Sequence, residues 1–290
     1  MNVQIRLPVW FRQEIPGPET LGLMRRLKDS GINTVCRQAK CPNAAQCFGR
    51  KELTFMILGE ACSRTCGFCN IADGRRKPRA PDSDEPLRIA AVVESLGLDY
   101  VVVTSVTRDD LSDGGAGQFV KTVRAVRRKK RDAKIELLIP DFQGKIRSLE
   151  AVVSARPDVV GHNLETVARL YPVLRPQADY RRSLSVLKGI KELNPLTFTK
   201  SSLMLGLGET EEEVCSVLRD LRDNLCDILT LGQYLAPTPG HYPVKEFVAR
   251  RQFARYREIG LRLGFKAVSS GPKMRSSFAA GELYRELEYA

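Results

Sequence analysis

The sequence predicts an α/β fold, a partial parallel (β/α)6 barrel of the TIM type with an extension at each end of the chain. From about residue 53 onward, short apolar runs rich in β-branched residues alternate with amphipathic stretches, which is typical of βα units around a parallel sheet. Polar residues follow the ends of these runs, as they do at the mouth of parallel barrels. A doubly wound open sheet also fits the alternation, but polar ends facing one mouth favour the partial barrel.

Each element is predicted from its local pattern. Buried parallel strands are near-continuous apolar runs, and Tyr100-Val-Val-Val-Thr104 is an example. The six predicted strands are Thr54–Leu58, Tyr100–Thr104, Ile135–Ile139, Asp158–Gly161, Thr199–Leu205 and Ile228–Tyr234. The predicted helices between them are Leu87–Leu96, Phe119–Arg131, Ser148–Ala155, Thr166–Leu174, Tyr180–Leu193 and Glu211–Asn224.

Both ends of the chain stand outside this alternation. Residues 1–52 hold a predicted helix at Glu19–Ser30 and then three cysteines. Residues 250–290 hold a predicted helix at Arg251–Leu263 and a short predicted strand at Lys266–Val268. We therefore expect three parts: an extension over 1–52, the barrel over 53–249 and a second extension over 250–290.

Composition limits the environment and the partners of the protein. The 290 residues include 46 basic and 34 acidic side chains, a net charge of +12 that favours acidic partners. No apolar run approaches the roughly 18 residues that span a bilayer. The first residues lack the apolar segment of a secretory signal. These features predict a cytoplasmic protein that does not bind membranes, with a monomer as the default state.

Three clustered cysteines directly follow the first predicted strand, in Cys62-Ser-Arg-Thr-Cys66-Gly-Phe-Cys69. Three thiolates on a tight loop can each bind one iron of a 4Fe–4S cluster and leave the fourth iron open. A closed zinc site needs a fourth protein ligand, and no cysteine or histidine follows at the required spacing. Zinc or a disulfide is the alternative; a cluster that generates radicals from S-adenosylmethionine is favoured.

A second triplet lies in the N-terminal extension, in Cys36-Arg-Gln-Ala-Lys-Cys41-Pro-Asn-Ala-Ala-Gln-Cys47. Its spacing alone is compatible with half a zinc site, with three unrelated cysteines or with a second cluster. A second cluster would again lack a fourth cysteine, so we look for an oxygen ligand elsewhere in the chain.

The two triplets resemble the lipoyl synthase family of the radical S-adenosylmethionine superfamily. The likeness covers residues 33 to 278. It includes Val103-Thr-Ser-Val-Thr-Arg-Asp-Asp-Leu111, His162-Asn-Leu-Glu-Thr166, Leu205-Gly-Leu-Gly-Glu-Thr210, Gly232-Gln-Tyr-Leu235, Ser270-Gly-Pro272 and Arg275-Ser-Ser277. The chain departs from the family pattern at Phe278, where the family has tyrosine, at Lys273-Met274, and in residues 248–252, which lack an expected proline.

The resemblance implies the role of each site residue. Cys62, Cys66 and Cys69 would hold the reducing cluster that binds S-adenosylmethionine. Cys36, Cys41 and Cys47 would hold an auxiliary 4Fe–4S cluster, with the Ser277 hydroxyl on its fourth iron. A serine oxygen is more easily displaced from iron than a thiolate, which suits a cluster that is dismantled. The implied S-adenosylmethionine pocket comprises Phe68, Thr104, Ser105, Asn163, Glu165, Gly206, Gly208 and Glu209.

The resemblance also implies the reaction, a radical insertion of two sulfurs at the sixth and eighth carbons of an octanoyl group on a protein lysine. A 5′-deoxyadenosyl radical would remove each hydrogen, and the auxiliary cluster would donate the sulfur. The implied carriers are lipoyl domains or the glycine-cleavage carrier protein. Ferredoxin or flavodoxin would supply electrons, and an iron–sulfur carrier would rebuild the cluster.

Two other functions fit part of the pattern. A two-cluster enzyme that methylthiolates RNA or protein would suit the positive charge. However, the sequence shows no appended RNA-binding domain and no cluster of base-stacking aromatics, so we expect no nucleic acid. A simple electron-transfer module would complete its cluster with four protein ligands, which the 62–69 loop does not offer.

Several other residues are open to more than one interpretation. The basic run Arg127–Arg131 is expected to be a solvated helix end that complements the helix dipole. Arg75–Arg79 could lie near the surface that binds the carrier protein. His162 could serve the site, His241 is expected in a loop, and Cys215 and Cys226 are expected as core thiols.

Overall fold

The computed structural model of the protein describes residues 8, 11, 15–73 and 79–288. Seven parallel strands form one sheet in the order β1-β4-β5-β6-β7-β8-β9. Its strands are β1 Thr54–Ile57, β4 Tyr100–Ser105, β5 Lys134–Leu138, β6 Val159–Gly161, β7 Phe198–Leu205, β8 Ile228–Gln233 and β9 Ala267–Gly271. A separate parallel pair consists of β2 Ala61–Cys62 and β3 Ala72–Asp73. The predicted α/β class and parallel sheet are thus confirmed.

Helices connect the strands and pack on the outside of the sheet. The N-terminal region contains α1 Pro18–Asp29, α2 Val35–Gln38 and α3 Ala44–Gly49. The remaining helices are α4 Glu85–Leu96, α5 Ala116–Lys129, α6 Ile146–Ser154, α7 Tyr171–Leu174, α8 Tyr180–Leu193, α9 Glu211–Asp223, α10 Arg250–Arg262 and α11 Ala280–Glu288. The predicted helix Thr166–Leu174 is confirmed only in part, because a 3-10 turn at Ala168–Leu170 precedes the short α7 at Tyr171–Leu174. Pro172 lacks the N–H that a longer helix through this region would need.

The sheet contains one strand more than the six predicted within the barrel. Strand β9, from the C-terminal segment, pairs with β8 in parallel register, with Ile228 opposite Ala267 and Gly232 opposite Gly271. Among the described residues β1 and β9 do not pair, so the barrel stays open between its two edge strands. The chain that follows β9 enters this partial barrel and carries the Arg-Ser-Ser sequence.

Helix α11 closes the end of the barrel at which the strands begin. The Tyr284 ring contacts Tyr100, with ring centroids 5.6 Å apart, and Phe198, with centroids 5.9 Å apart. Above this floor, Lys200 Nζ lies 2.8 Å from Glu136 Oε1, and both side chains are 2% exposed. The Tyr100 hydroxyl donates to Glu136 at 2.7 Å. This hydrogen bond helps to offset the cost of burying the ion pair.

The strands contribute to one large apolar core and to a second, small cluster formed by Val159, Ile228, Ala267 and Tyr284. Within the described part of the chain, no helix is both long and apolar enough to cross a membrane.

Candidate active site at two cysteine loops

The Cys62–Cys69 loop leaves the carboxyl end of β1 and is fixed to the neighbouring loops by its backbone. Gly67 N donates to Leu174 O at 2.9 Å, and Gly67 O accepts from Tyr242 N at 2.9 Å. Ser63 N donates to the carbonyl of Thr107, beyond the end of β4, at 2.9 Å. The loop is therefore held at the mouth of the barrel, where the strands end, as the sequence predicted.

Arg64 anchors the same loop through its side chain, and sequence reasoning did not identify this role. The guanidinium donates to Asp109 at 2.7 and 2.9 Å and to Asp141 at 2.6 Å. Arg182 binds the second Asp141 oxygen at 2.8 Å. Although burial opposes ionisation, the guanidinium of Arg64 lowers the pKa of Asp141 well below its usual range. Each of these charges thus has an opposite charge beside it.

The three thiols of this loop suit a cluster rather than a single ion. All are free, and burial raises the pKa of Cys66 and raises that of Cys69 to about 12, with neighbouring thiols adding to both shifts. Iron charge would stabilise the thiolates that burial disfavours. No three His, Cys, Asp or Glu side chains in the described ranges are grouped to hold one metal ion. In a 4Fe–4S cluster each thiolate binds a different iron, so its ligands need not meet at one point.

Several predicted pocket residues lie at the strand ends around this loop. Ser105 ends β4, and its buried hydroxyl has no hydrogen-bond partner among the described residues. Phe68 packs its partly buried ring against the core. Gly206 has a φ of 92°, and a Cβ there would approach Gln233 and Glu246 O within 2.3 Å. Thr104 instead donates its hydroxyl to Leu138 O at 2.8 Å, within the sheet.

Two carboxylates of the predicted pocket differ in what they bind. Glu209 accepts from the backbone N–H of Gly206 at 2.6 Å and of Leu207 at 2.8 Å, so it holds the turn that contains Gly208. Glu165 accepts from the Asn163 amide at 3.0 Å, and its carboxylate has no other hydrogen bond within the described part of the chain. Burial raises the pKa of Glu165.

The second cysteine triplet lies beside the first. Cys36 is on α2, Cys41 is in the following loop and Cys47 is on α3. Burial raises the pKa of Cys36 to about 12, and Cys41 raises it further. Asn70, directly after Cys69, donates its side-chain amide to Gln38 O at 2.8 Å and so joins the two cysteine loops.

Thr54 places Ser277 next to this second triplet. The Thr54 hydroxyl donates to Ser277 Oγ at 2.8 Å. The Thr54 backbone also lies near the Cys36 thiol and lowers its pKa against the effect of burial. A single residue at the start of β1 thus lies beside a cysteine of the triplet and binds a serine 223 positions further along the chain.

Arg275 also faces this triplet. It is partly buried, and its side-chain hydrogen bonds go to the carbonyls of Met274 at 2.6 Å and Pro272 at 3.5 Å. No carboxylate pairs with it among the described residues. Burial lowers the pKa of Arg275, and the Cys41 thiol opposes that shift. Arg275 is thus near enough to Cys41 of this triplet for the two charges to interact.

A hydrogen bond connects the tail with the predicted S-adenosylmethionine pocket. Ser276 Oγ donates to Asn163 Oδ1 at 3.1 Å. Because Asn163 also binds Glu165, a chain of hydrogen bonds runs from the tail to the carboxylate whose charge affects Cys66 and Cys69.

The two histidines lie in different surroundings, one in the core and one in a loop. His162 does not serve the site, because both ring nitrogens are used in the core, by Ile139 O at 2.9 Å and Ser183 Oγ at 3.1 Å. His241 lies in a loop as expected, and its Nε2 also bonds the Cys69 carbonyl at 3.1 Å. A histidine 172 positions from a cysteine gives no sequence signal of such a contact.

The remaining predictions concern two cysteines and two basic runs. Cys226 is fully buried as a core thiol, whereas Cys215 on α9 is only partly buried against the core. Arg127, within the basic run, is not merely solvated, since it binds Asp158 at 2.7 Å. Of Arg75–Arg79, residues 75–78 lie outside the described residues.

Comparison with known proteins identifies the family. Residues 56–221 match the radical SAM superfamily. Lipoyl synthase of Alkaliphilus metalliredigens is 48% identical over 99% of both chains. Lipoyl synthase of Caldanaerobacter subterraneus subsp. tengcongensis is 51% identical over 95% of this chain and 96% of its own.

Solved structures share the fold at low identity. Methylornithine synthase has a TM-score of 0.54 at 15% identity and matches over 81% of each chain. SuiB of Streptococcus suis has a TM-score of 0.59 at 14% identity, over 92% of this chain and 59% of its own. The free cysteines described above fit the 4Fe–4S clusters and S-adenosylmethionine of the relatives. The chain belongs to the lipoyl synthase family of the radical SAM superfamily, whose members are sulfur-inserting radical enzymes.

Proposed function

We propose that the two cysteine loops divide the work of lipoyl synthesis, the 62–69 loop serving radical generation and the 36–47 triplet serving sulfur donation. The observation that carries this division is the position of Thr54, which donates to Ser277 and lies near Cys36. Ser277 would then offer the N-terminal triplet a fourth, oxygen ligand, whereas the 62–69 loop has three thiols and an open side.

At the first loop, Cys62, Cys66 and Cys69 would each hold one iron. A reduced cluster bound there would supply the electron for cleavage of S-adenosylmethionine. The protein's own residues orient the cofactor: the unpartnered Ser105 hydroxyl and the free oxygen of Glu165 are positioned to accept or donate hydrogen bonds to it. Gly206 and Gly208, held by Glu209, let the backbone approach a ligand closely.

At the second loop, Cys36, Cys41, Cys47 and Ser277 would hold the auxiliary cluster. Arg275 contributes positive charge beside Cys41, which offsets the negative charge of thiolates and sulfides. The Thr54 hydroxyl donates to the Ser277 oxygen and so orients its lone pairs. Helix α11 packs on the barrel floor, where Tyr284 contacts Tyr100 and Phe198.

The substrate in this proposal is an octanoyl-lysine on a lipoyl domain or on the glycine-cleavage carrier protein. The net charge of +12 supports docking of an acidic carrier. Ferredoxin or flavodoxin would supply the electrons, an iron–sulfur carrier would restore the consumed cluster, and the protein would act as a cytoplasmic monomer. We also keep as part of this proposal the division of the chain into an N-terminal extension that ends at residue 52, a barrel that ends at residue 249, and a C-terminal extension.

The test is anaerobic loading with iron and sulfide, then incubation with S-adenosylmethionine, reductant and an octanoyl-lysyl peptide. Mass spectrometry should show a peptide that gains two sulfurs, together with 5′-deoxyadenosine. Cys41→Ala should still form 5′-deoxyadenosine but add no complete pair of sulfurs, whereas Cys66→Ala should form neither product. Equal loss of both products in the two variants would contradict the division of work.

A further inference from the structure

A cleft of about 570 Å³ lies beside the auxiliary site, on the edge of the sheet where the strands begin. Its walls include the segment after α3, the turn between α4 and β4, the starts of β4 and β5, the tail at Ser277, and helix α11. The residues that matter here are Glu52, Asp99, Tyr100, Ser277 and Arg285.

The inner end of this cleft reaches the auxiliary site on two sides. Ser277 lines it directly and bonds Thr54, which lies near Cys36. Glu52 also lines it, and the Glu52 backbone N–H donates to Cys47 O at 2.8 Å. One Glu52 carboxylate oxygen is buried and has no hydrogen-bond partner within the described ranges.

The cleft opens away from the other cysteine loop. Tyr100 and Lys134, which begin β4 and β5, line it, whereas the Cys62–Cys69 loop follows the carboxyl end of β1. The strands are parallel, so their two ends form opposite edges of the sheet. A solute in the cleft can therefore approach Ser277 without entering the S-adenosylmethionine pocket.

We propose that this cleft is the route by which iron and sulfide from the iron–sulfur carrier, two ferrous and two ferric ions with four sulfides for each cluster, reach the auxiliary site to rebuild it. The proposal rests on the proposed function, because a cluster that donates two sulfurs must be replaced before another cycle. Cys36 and Cys47 are buried, whereas Ser277 is partly exposed and lines the cleft. Access from this edge would let the site refill while the opposite mouth serves the substrate.

The test follows uptake at the auxiliary site alone. In a full-length background with Cys62, Cys66 and Cys69 all changed to Ala, iron bound as a cluster belongs to the second triplet. The metal-free protein receives equal amounts of ferrous and ferric iron together with sulfide under anaerobic conditions, and cluster absorbance is recorded against time. Arg285→Trp, which puts a large ring into the cleft, should slow cluster formation several-fold without lowering its final amount.

Matched variants separate blockage of the cleft from general damage. Glu286→Trp places the same ring on α11 outside the cleft lining and should leave the rate unchanged. On the opposite wall, Asp99→Trp should slow uptake, and Glu94→Trp, on α4 outside the lining, should not. Thermal unfolding of each metal-free variant establishes that it is folded.

A second measurement follows the loss of iron from the site instead of its uptake. In the loaded proteins, Arg285→Trp and Asp99→Trp should slow the loss of iron to a soluble ferrous chelator. Equal rates of uptake and loss in all four variants and the parent would overturn the route. The proposed function is judged separately, because it fails when the unmodified protein adds no sulfur to the peptide, whatever the uptake rates are.

Discussion

The two cysteine sites differ in how the polypeptide completes them. The 62–69 site consists of one short loop, and its buried Arg64 is paired with Asp109 and Asp141. The auxiliary site is assembled from α2, α3, the start of β1 and a tail more than 200 positions away. Its cation, Arg275, has no carboxylate partner among the described residues. The buried cation of the first site is neutralised by carboxylates of the protein itself, whereas the cation of the second site is not.

This difference indicates where each site obtains its stability. A cation that is paired and hydrogen-bonded stabilises a loop before any cofactor binds. A partly buried cation without an anion costs free energy until a negative group arrives. We therefore expect the radical loop to be ordered in the metal-free protein and the tail to gain order when the auxiliary cluster binds.

The largest expected effect concerns Arg64. Arg64→Met leaves Asp141 buried beside fewer cations, and breaking a buried pair of this kind costs about 3–5 kcal/mol of unfolding free energy. Urea unfolding of the metal-free protein measures the loss. Arg169→Met is the control, because the Arg169–Glu213 pair has similar geometry but is exposed, and its loss should change stability little. Equal effects of the two substitutions would remove the contrast between the sites.

The second prediction concerns His162, which packs behind the radical loop. Burial lowers the pKa of His162 to about 4, with Arg175 adding to the shift and Asp141 opposing it. In the unfolded chain the pKa is about 6.5, so between these values the unfolded state binds a proton that the folded state does not. Stability should therefore fall as pH falls from about 6.5 to 4, by about 3 kcal/mol from this group.

The measurement is urea unfolding at several pH values for the parent and His162→Gln. Buried acids such as Glu165 and Asp141 also titrate at low pH, so the difference between the two proteins isolates the histidine. That difference should change across the pH range from 6.5 to 4 and be constant above pH 7. A constant difference throughout would contradict the assignment of His162 as a neutral core residue.

The smallest predicted effect lies at the auxiliary site. Thr54→Val removes the hydrogen bond to Ser277 but keeps the shape of the side chain, so we expect a loss of about 1 kcal/mol in the metal-free protein. Formation of 5′-deoxyadenosine should be unchanged, because the radical loop does not contact Thr54. Thr122→Val, the same change buried in α5, is the control. A variant that loses 5′-deoxyadenosine formation would show that the sites are not independent.

The sequence was sufficient to predict the strands and helices that are marked by local residue patterns. Strand β4 and helix α8 appear within one residue of their predicted bounds, because apolar periodicity and end residues mark them directly. The spacing of both cysteine triplets is likewise visible in the sequence. Strand β9 was predicted only as a short piece of the tail, since its place in the sheet depends on pairing with β8.

Contacts between distant charges could not be predicted in the same way. Nothing in the sequence pairs Arg64 with Asp141 rather than with another of the 34 acidic residues. Glu209 follows a glycine turn and was predicted to contact the cofactor, whereas its two oxygens are used by the turn itself. Such roles depend on which backbone N–H groups fold within reach, and sequence spacing does not specify that.

The contrast between the paired Arg64 and the unpaired Arg275 is tested most directly by the stability of Arg275→Met, measured with and without the auxiliary cluster. In the metal-free protein, replacing a partly buried unpaired cation by an apolar side chain should leave stability unchanged or raise it by about 1 kcal/mol. In the loaded protein the same substitution should speed the loss of iron from the 36–47 triplet to a chelator, while the radical cluster is retained. Destabilisation of the metal-free protein with unchanged iron retention would contradict the account.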